Sequence, residues 1–252
     1  MRPDVIDLRQ FYALPMGQLA RRHLLLRIRG FWPDVRNLRV LGLGFATPYL
    51  RAFKDEAERV IALMPAAQGV TQWPREGPFL TGLVEEAELP LPDASIDRVL
   101  LVHGLENSEN IALALREIWR VLAPGGRLLV VAPNRRGLWA RFEHTPFGQG
   151  YPFTAQQLTR LLRESMFLPT QSHSALYWPP SDWRFLLRLA GPIERIGERY
   201  RLRFAGLLLV EAGKQIYAAT PERARRRRPR FAPALPMRPA IGRGNDSVSR
   251  SS

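Results

Sequence analysis

The chain has 252 residues, of which 46% are hydrophobic, and it contains no cysteine. This length and apolar content suffice for one sizeable α/β core, and the lack of cysteine excludes disulfides, thiolate metal sites and a cysteine nucleophile. The formal net charge is +14 at pH 7, and half of it falls after residue 221, where nine arginines stand against two acids.

The sequence also indicates whether a metal site or a membrane span is expected and in which compartment the protein acts. The four histidines show no metal-ligand spacing, so no metal site is expected. No apolar run approaches the roughly 18 residues of a membrane-spanning helix, and the first residues lack a signal-peptide pattern. We therefore expect a cytoplasmic protein without a membrane span.

Helical and strand patterns alternate along most of the chain. After a short lead-in at 4–12, the predicted helices lie at 14–30, about 47–57, 108–122, about 154–166 and, interrupted by Gly191 and Pro192, at 183–200. The predicted strands lie at 40–43, 59–63, 79–83, 96–102, 127–132, 170–178 and 206–218, the last bulged at Gly213. Strands that are apolar throughout and alternate with helices indicate a parallel sheet covered on both faces.

This pattern divides the chain into three parts. Residues 1–34 form the lead-in and first helix, and residues 35–221 form the α/β domain, with an irregular aromatic cap at 134–153. Residues 222–252 are rich in arginine and proline and show no apolar period, so we expect a disordered tail. Such a tail can bind polyanions weakly, or it can simply be a solubilising extension.

The stretch VLGLGFATPYL, from residue 40, is typical of a strand, a glycine turn and a helix N-terminus. Thr47 is the predicted N-cap and Pro48 the first helical residue. A helix N-terminus of this kind can hold a nucleotide-like ligand, although a plain structural turn explains a short Gly-x-Gly equally well.

Two further segments resemble a known family. LPLPDASIDRVLLVHGLEN (89–107) and EIWRVLAPGGRLLVVAPN (117–134) are similar to class I S-adenosylmethionine-dependent methyltransferases of the type 11 group, over about residues 38–218. The family signature Arg-Val-Leu-x-Pro-Gly-Gly is matched by Arg120 to Gly126. The resemblance implies a Rossmann-like sheet of about seven mostly parallel strands with a final antiparallel strand and helices on both faces.

The resemblance also implies S-adenosylmethionine as cofactor and a set of binding residues. Gly42, Gly44 and Ala46 occupy the family's glycine-motif positions, and Gly44 would let the backbone approach the methionine moiety. The same resemblance implies three other positions. Met64 falls at the ribose-binding acid, Glu85 at the adenine-binding acid and His103 at the end of the fourth strand. No catalytic residue is assigned.

Several of these positions depart from the family pattern. Gly42 replaces an acid, and Ala46 and Pro48 replace glycines. The ribose-binding acid falls at Leu63 or Met64, and neither side chain can accept a hydrogen bond. A buried hydroxyl left without a partner costs about 1–3 kcal/mol, so the ribose would be held by van der Waals contact alone.

Two functions are consistent with these residues. The first is an S-adenosylmethionine-dependent methyltransferase acting on a small apolar or aromatic acceptor, with the aromatic cap over the acceptor site. The second is a non-catalytic relative that keeps the sheet and binds a partner protein. The glycine turn could be structural, Glu85 a solvated charge and His103 a buried structural histidine in either case.

Overall fold

Seven strands form one sheet in the computed structural model, which describes residues 3–200, 202 and 204–216. The strands are β1 (Arg39–Gly44), β2 (Arg59–Pro65), β3 (Thr81–Val84), β4 (Ile96–Val102), β5 (Leu122–Pro133), β6 (Phe167–Ala175) and β7 (Leu207–Lys214). Their order is β3-β2-β1-β4-β5-β7-β6. Only β7 runs antiparallel to its neighbours, which confirms the predicted fold.

Helices cover both faces of this sheet. They are α1 (Val5–Ala13), α2 (Pro15–Phe31), α3 (Thr47–Leu50), α4 (Ile111–Val121), α5 (Ala155–Glu164) and α6 (Arg184–Arg199). Helices α1 and α2 pack with Val40 and Leu100 on one face, whereas α4 and α5 pack with Leu41 and Leu101 on the other. Adjacent strand residues thus enter opposite cores, which explains why these strands are apolar throughout.

The lead-in is a helix of its own. The Asp4 carboxylate accepts hydrogen bonds from the backbone N–H groups of Ile6 and Asp7, both at 2.8 Å, and so caps the N-terminus of α1. Pro15 begins α2 directly after it. Buried Leu8 and Phe11 fasten α1 to the core, and this places the helix beside the carboxyl ends of the strands.

Two predicted helix starts are wrong and one is confirmed. Ala46, not Thr47, is the N-cap of α3, which ends at Leu50 and continues only as turns instead of reaching residue 57. Asn110, not Ser108, caps α4 by accepting from the Leu113 N–H. The capping box of Thr154 and Gln157 is present, as predicted.

Two further differences concern the end of the domain. Helix α6 runs without a break through Gly191 and Pro192, because burial of its inner face offsets the roughly 3 kcal/mol that an internal proline costs. The bulge predicted at Gly213 is absent, and the irregular pairing lies on β6 between Pro169 and Gln171. The predicted tail and the end of the last strand lie outside the described residues.

Candidate active site

The candidate site lies where β1 and β4 diverge. These strands are neighbours, but β1 connects onward to β2 on one side, whereas β4 connects to β5 on the other. Open α/β sheets bind ligands at such a switch point, beyond the carboxyl ends of the strands. The segments that leave β1 and β4 here begin at Gly44 and His103.

A cavity lies on the α4 side of this point. Its free volume is about 20 Å³, enough for about one water molecule, so a larger ligand would require its walls to move apart. Its walls are mainly apolar, and its polar side chains are those of Glu86 and Ser108. The lining residues are Leu43, Gly44, Leu63, Pro65, Val84, Glu86, Leu89, Leu101, Gly104, Leu105, Ser108, Ala114 and Ile118.

Of the three glycine-motif residues, only Gly44 lines this cavity. It has φ +70°, and an added Cβ would lie 2.3 Å from the carbonyl oxygen of Val102. Glycine is therefore required by the backbone at this position, whether or not a ligand passes over it. At Gly42, an added Cβ would lie 2.5 Å from Leu50 and 2.8 Å from Ala46. Gly42 therefore packs against α3 and does not line the cavity.

Of the residues considered for the ribose and adenine, those that line the cavity are not the ones at Met64 and Glu85. Leu63 lines the cavity, whereas Met64 is fully buried in the core beneath α1 and α2. Glu86 also lines the cavity, whereas Glu85 is exposed and pairs with Glu88 in an isolated bridge. In this structure, Met64 and Glu85 are thus not brought together with Gly44.

His103 lies behind the same loop, on the α1 side. It is fully buried and adopts φ +52°, a left-handed conformation that is uncommon for a residue other than glycine. Gln68 Nε2 donates to its carbonyl oxygen at 3.1 Å, and its ring lies 4.5 Å from that of Phe147, measured between centroids.

The imidazole of His103 is part of a buried polar chain. Its Nε2 lies 2.9 Å from the Tyr12 hydroxyl, which in turn lies 2.8 Å from the Tyr49 hydroxyl. Its Nδ1 lies 3.5 Å from Glu106 Oε1, beyond ordinary hydrogen-bond length. Burial raises the pKa of Tyr12 well above its usual value, with Tyr49 adding to the shift, and burial also raises the pKa of Tyr49.

Several buried polar atoms near the Tyr49–Tyr12–His103 row of hydrogen bonds lack a hydrogen-bond partner among the described residues. Such atoms are uncommon in folded proteins, and a bound water, an ion, local strain or a catalytic role can account for them. Most of them belong to the loop from 103 to 108, which separates the polar chain from the cavity. They are Gln68 Oε1, His103 Nδ1, both carboxylate oxygens of Glu106, Asn107 Nδ2 and Ser108 Oγ.

The aromatic cap divides into buried and exposed rings. Trp139 is fully buried, stands edge-on to Trp178 at 4.9 Å between centroids, and donates its Nε1 proton to the Trp178 carbonyl at 2.8 Å. Phe142 and Tyr151 are exposed. Trp139 is therefore part of the core, and the prediction that the whole cap covers an acceptor is not supported at that residue.

Tyr12, Tyr49, Gln68 and Glu106 were not identified from the sequence as site residues. The tyrosines and the glutamine reach His103 from segments far away in the chain, so no local spacing marks them. The signal for Glu106 was closer, because a carboxylate stands three residues after His103 on the turn Leu105–Asn107.

Among the described residues, no group of three or more His, Cys, Asp or Glu residues could hold a metal ion. No helix in the same part of the chain is long and apolar enough to cross a membrane.

The chemistry of the cavity lining fits the adenosine half of S-adenosylmethionine, although a nucleoside needs more space than the cavity encloses in this structure. Leucines from three strands give the cavity apolar walls for a planar base, while the Glu86 carboxylate can accept from an amine at its rim. Ser108 Oγ is buried without a partner and can bond a polar ligand atom. The ribose has no acid at Leu63 or Met64, so its hydroxyls would need other partners.

Comparison with known proteins agrees with this geometry. A family model described as "Methyltransferase domain" matches residues 40–130. Demethylmenaquinone methyltransferase from Thermus thermophilus is 28% identical over 69% of this chain and 70% of its own length. Ubiquinone/menaquinone biosynthesis C-methyltransferase UbiE from Rubrivivax gelatinosus is 43% identical, but over only 27% of this chain and 25% of its own.

A solved structure shows the same fold over most of the chain. An S-adenosylmethionine-dependent methyltransferase from Thermotoga maritima superposes with a TM-score of 0.58 at 16% identity, covering 84% of this chain and 96% of that one. The family model spans β1 to β5, including the cavity and the Pro-Gly-Gly turn. Residues 40–130 therefore match the methyltransferase family model, and the sheet as a whole has the fold of an S-adenosylmethionine-dependent methyltransferase.

Proposed function

We propose that this chain transfers the methyl group of S-adenosylmethionine to a small acceptor with an apolar or aromatic ring. The observation that carries the proposal is the position and chemistry of the cavity. It lies at the switch point of the sheet, and its apolar walls with one carboxylate suit an adenosine. When bound, S-adenosylmethionine supplies a sulfonium-activated methyl group, whose transfer depends mainly on alignment in a dry site.

The residues around the cavity then have distinct roles. The carboxylate of Glu86 would accept from the adenine amine, and the hydroxyl of Ser108 would bond a polar atom of the cofactor. Tyr12, His103 and Phe147 close the opposite side and exclude water from it. The imidazole of His103 is buried behind the loop and contacts Tyr12, so it would hold the loop in position and would not touch the acceptor.

The proposal also names a chemical class of acceptor to test. The Thermus and Rubrivivax relatives are named for methylation in menaquinone and ubiquinone synthesis, so a reduced quinone ring is the first acceptor to test. Aromatic rings are buried around His103, since Tyr12 and Phe147 contact its imidazole and Phe45 stacks on Tyr12. These rings agree with a planar aromatic substrate.

Calorimetric titration with S-adenosylhomocysteine tests the cofactor part. Saturable one-to-one binding supports the proposal, and no binding by a folded protein contradicts it. Radiolabelled S-adenosylmethionine with a reduced demethylnaphthoquinone tests the acceptor. Binding without methylation of this acceptor leaves the cofactor site in place and rejects the quinone.

The second candidate function is the non-catalytic relative that binds a partner protein. The absence of an acid at Leu63 and Met64 favours it, as does the dense packing of Tyr12, Tyr49 and His103. The same titration separates the two functions, because a non-catalytic relative that has lost its cofactor would not bind S-adenosylhomocysteine.

A further inference from the structure

Helix α6 carries two separate faces along its length. Its inner face is buried in the fold at Ala190, Glu194 and Gly197, which recur at helical spacing. The Glu194 carboxylate accepts from the backbone N–H groups of Leu176 and Tyr177, at 2.9 and 2.8 Å. These contacts fix the rotation of the helix, so the direction in which its outer face points is determined.

The outer face is apolar, although it faces solvent. Phe185 is 68% exposed and Ile196 is 54% exposed. Between them, Leu189 and Pro192 continue the same stripe at spacings of three and four residues, and Pro192 is exposed. Trp183 and Tyr200, 75% and 68% exposed, stand at the two ends. An exposed apolar patch of this kind marks an interaction site.

A row of arginines runs beside the apolar stripe. Their spacing of four, seven and four residues places them on one side of the helix, next to the stripe. None of the four forms an ion pair or side-chain hydrogen bond with another described residue. They are Arg184, Arg188, Arg195 and Arg199. The acids of the helix do not neutralise this row, because Glu194 is buried and Glu198 pairs with Arg27.

We propose that this face of α6 binds the surface of a bilayer that contains anionic lipids. An apolar stripe with large aromatic residues inserts at the boundary between headgroups and acyl chains, while adjacent arginines contact lipid phosphates. Trp and Tyr favour the same boundary region, since each has an apolar ring and a polar group. A protein partner would match the apolar stripe but would not by itself explain the four adjacent arginines, which have no acidic partner among the described residues.

The proposal does not depend on the methyltransferase function and is tested by vesicle co-sedimentation of the full chain. We expect binding to phosphatidylcholine vesicles that contain phosphatidylglycerol, and weak binding to phosphatidylcholine alone. The double variant Arg188→Gln/Arg195→Gln should bind more than tenfold less tightly, at about fivefold for each arginine. The matched control Arg160→Gln/Arg163→Gln, on α5, removes the same charge elsewhere and should have a smaller effect.

A second measurement separates insertion from charge attraction. Trp183 is exposed, whereas Trp32, Trp139 and Trp178 are buried and Trp73 and Trp119 are half-buried on other segments, so lipids brominated in the acyl chain should quench the wild type much more than Trp183→Phe. Phe185→Ala should lower binding, and Leu26→Ala, which removes an exposed leucine from α2, should not. Three results would each overturn the proposal. They are an equal loss of vesicle affinity in the α6 and α5 arginine variants, no quenching of the wild type, and no vesicle binding by the wild type. So would a protein dimer that Phe185→Ala dissociates in the absence of lipid.

Discussion

The Tyr12 hydroxyl lies 2.9 Å from Nε2 of His103, although 91 residues separate them in the chain. This contact joins the first helix to the end of β4 and closes the α1 side of the candidate site. Because the same hydroxyl also meets that of Tyr49 at 2.8 Å, it satisfies two buried polar groups at once.

Tyr12→Phe removes this hydroxyl and leaves Tyr49 and His103 without their common partner. We expect the free energy of unfolding to fall by about 1–3 kcal/mol, the usual effect of leaving a buried polar group unpaired. Chemical denaturation measures it. Tyr200→Phe, at an exposed position, is the control and should change nothing. A fully stable Tyr12→Phe protein would show that the chain of hydrogen bonds is absent in solution.

Glu86 and Glu85 offer a paired test of the cavity. Glu86→Gln should weaken binding of S-adenosylhomocysteine about tenfold, because a hydrogen bond to a charged group contributes about 1.5–3 kcal/mol. Glu85→Gln should leave the affinity unchanged, since this side chain is exposed and does not line the cavity. Calorimetry on both variants checks the pair. The reverse result would restore the adenine position expected from family resemblance.

Trp139 and Phe142 differ in burial and should differ in effect. Trp139→Ala empties a fully buried site and should lower the free energy of unfolding by about 3–5 kcal/mol. Phe142 is 37% exposed, so its replacement by alanine should have a much smaller effect on stability. Thermal unfolding followed by circular dichroism measures both. Equal, small losses would indicate that Trp139 covers a ligand site instead of filling the core.

Glu194 should make stability depend on pH. Burial raises the pKa of its carboxyl above the ordinary value of 4.5, so the folded state binds more protons than the unfolded state just above that pH. The free energy of unfolding therefore falls as pH rises from 4.5 through the raised pKa, and Glu194→Gln should remove this slope. Urea unfolding across this interval measures it.

Glu198 serves as the control of opposite sign. The guanidinium of Arg27 lowers its pKa, so its contribution is present above the unfolded value and is lost as pH falls through the folded value. Glu198→Gln should therefore remove stability at neutral pH but leave the slope from Glu194 in place. An unchanged slope in Glu194→Gln would contradict the assignment to Glu194.

The strands of the sheet could be predicted from the sequence because their apolar runs and the Pro-Gly-Gly turn are local signals. Helix α1 could not be predicted from the sequence, because its one clear local signal is the N-cap residue Asp4. The register at the end of β2 was also uncertain by one residue, and the position after β3 was assigned to Glu85. In a strand, such a shift moves a side chain to the opposite face, and this is why Leu63 and Glu86 line the cavity in place of Met64 and Glu85.

The polar chain at His103 depends on contacts that sequence spacing does not show. Tyr12, Tyr49 and Gln68 come from α1, α3 and the turn after β2, and only the folded sheet brings them to the end of β4. The glycine motif could be recognised in the sequence, but whether it serves the fold or a ligand could not. A side chain at Gly44 would clash with the Val102 carbonyl oxygen even without a ligand.

The contact between Gly42 and α3 limits how this chain could change. A Cβ at 42 would lie 2.5 Å from Cδ1 of Leu50 and 2.8 Å from Cβ of Ala46, so any side chain at 42 requires both neighbours to move. Gly42→Asp alone should therefore lower stability, and a smaller residue at 50 should recover only part of the loss, because Ala46 remains. Positions 42 and 50 are thus expected to be energetically coupled, so substitutions at them should not be additive.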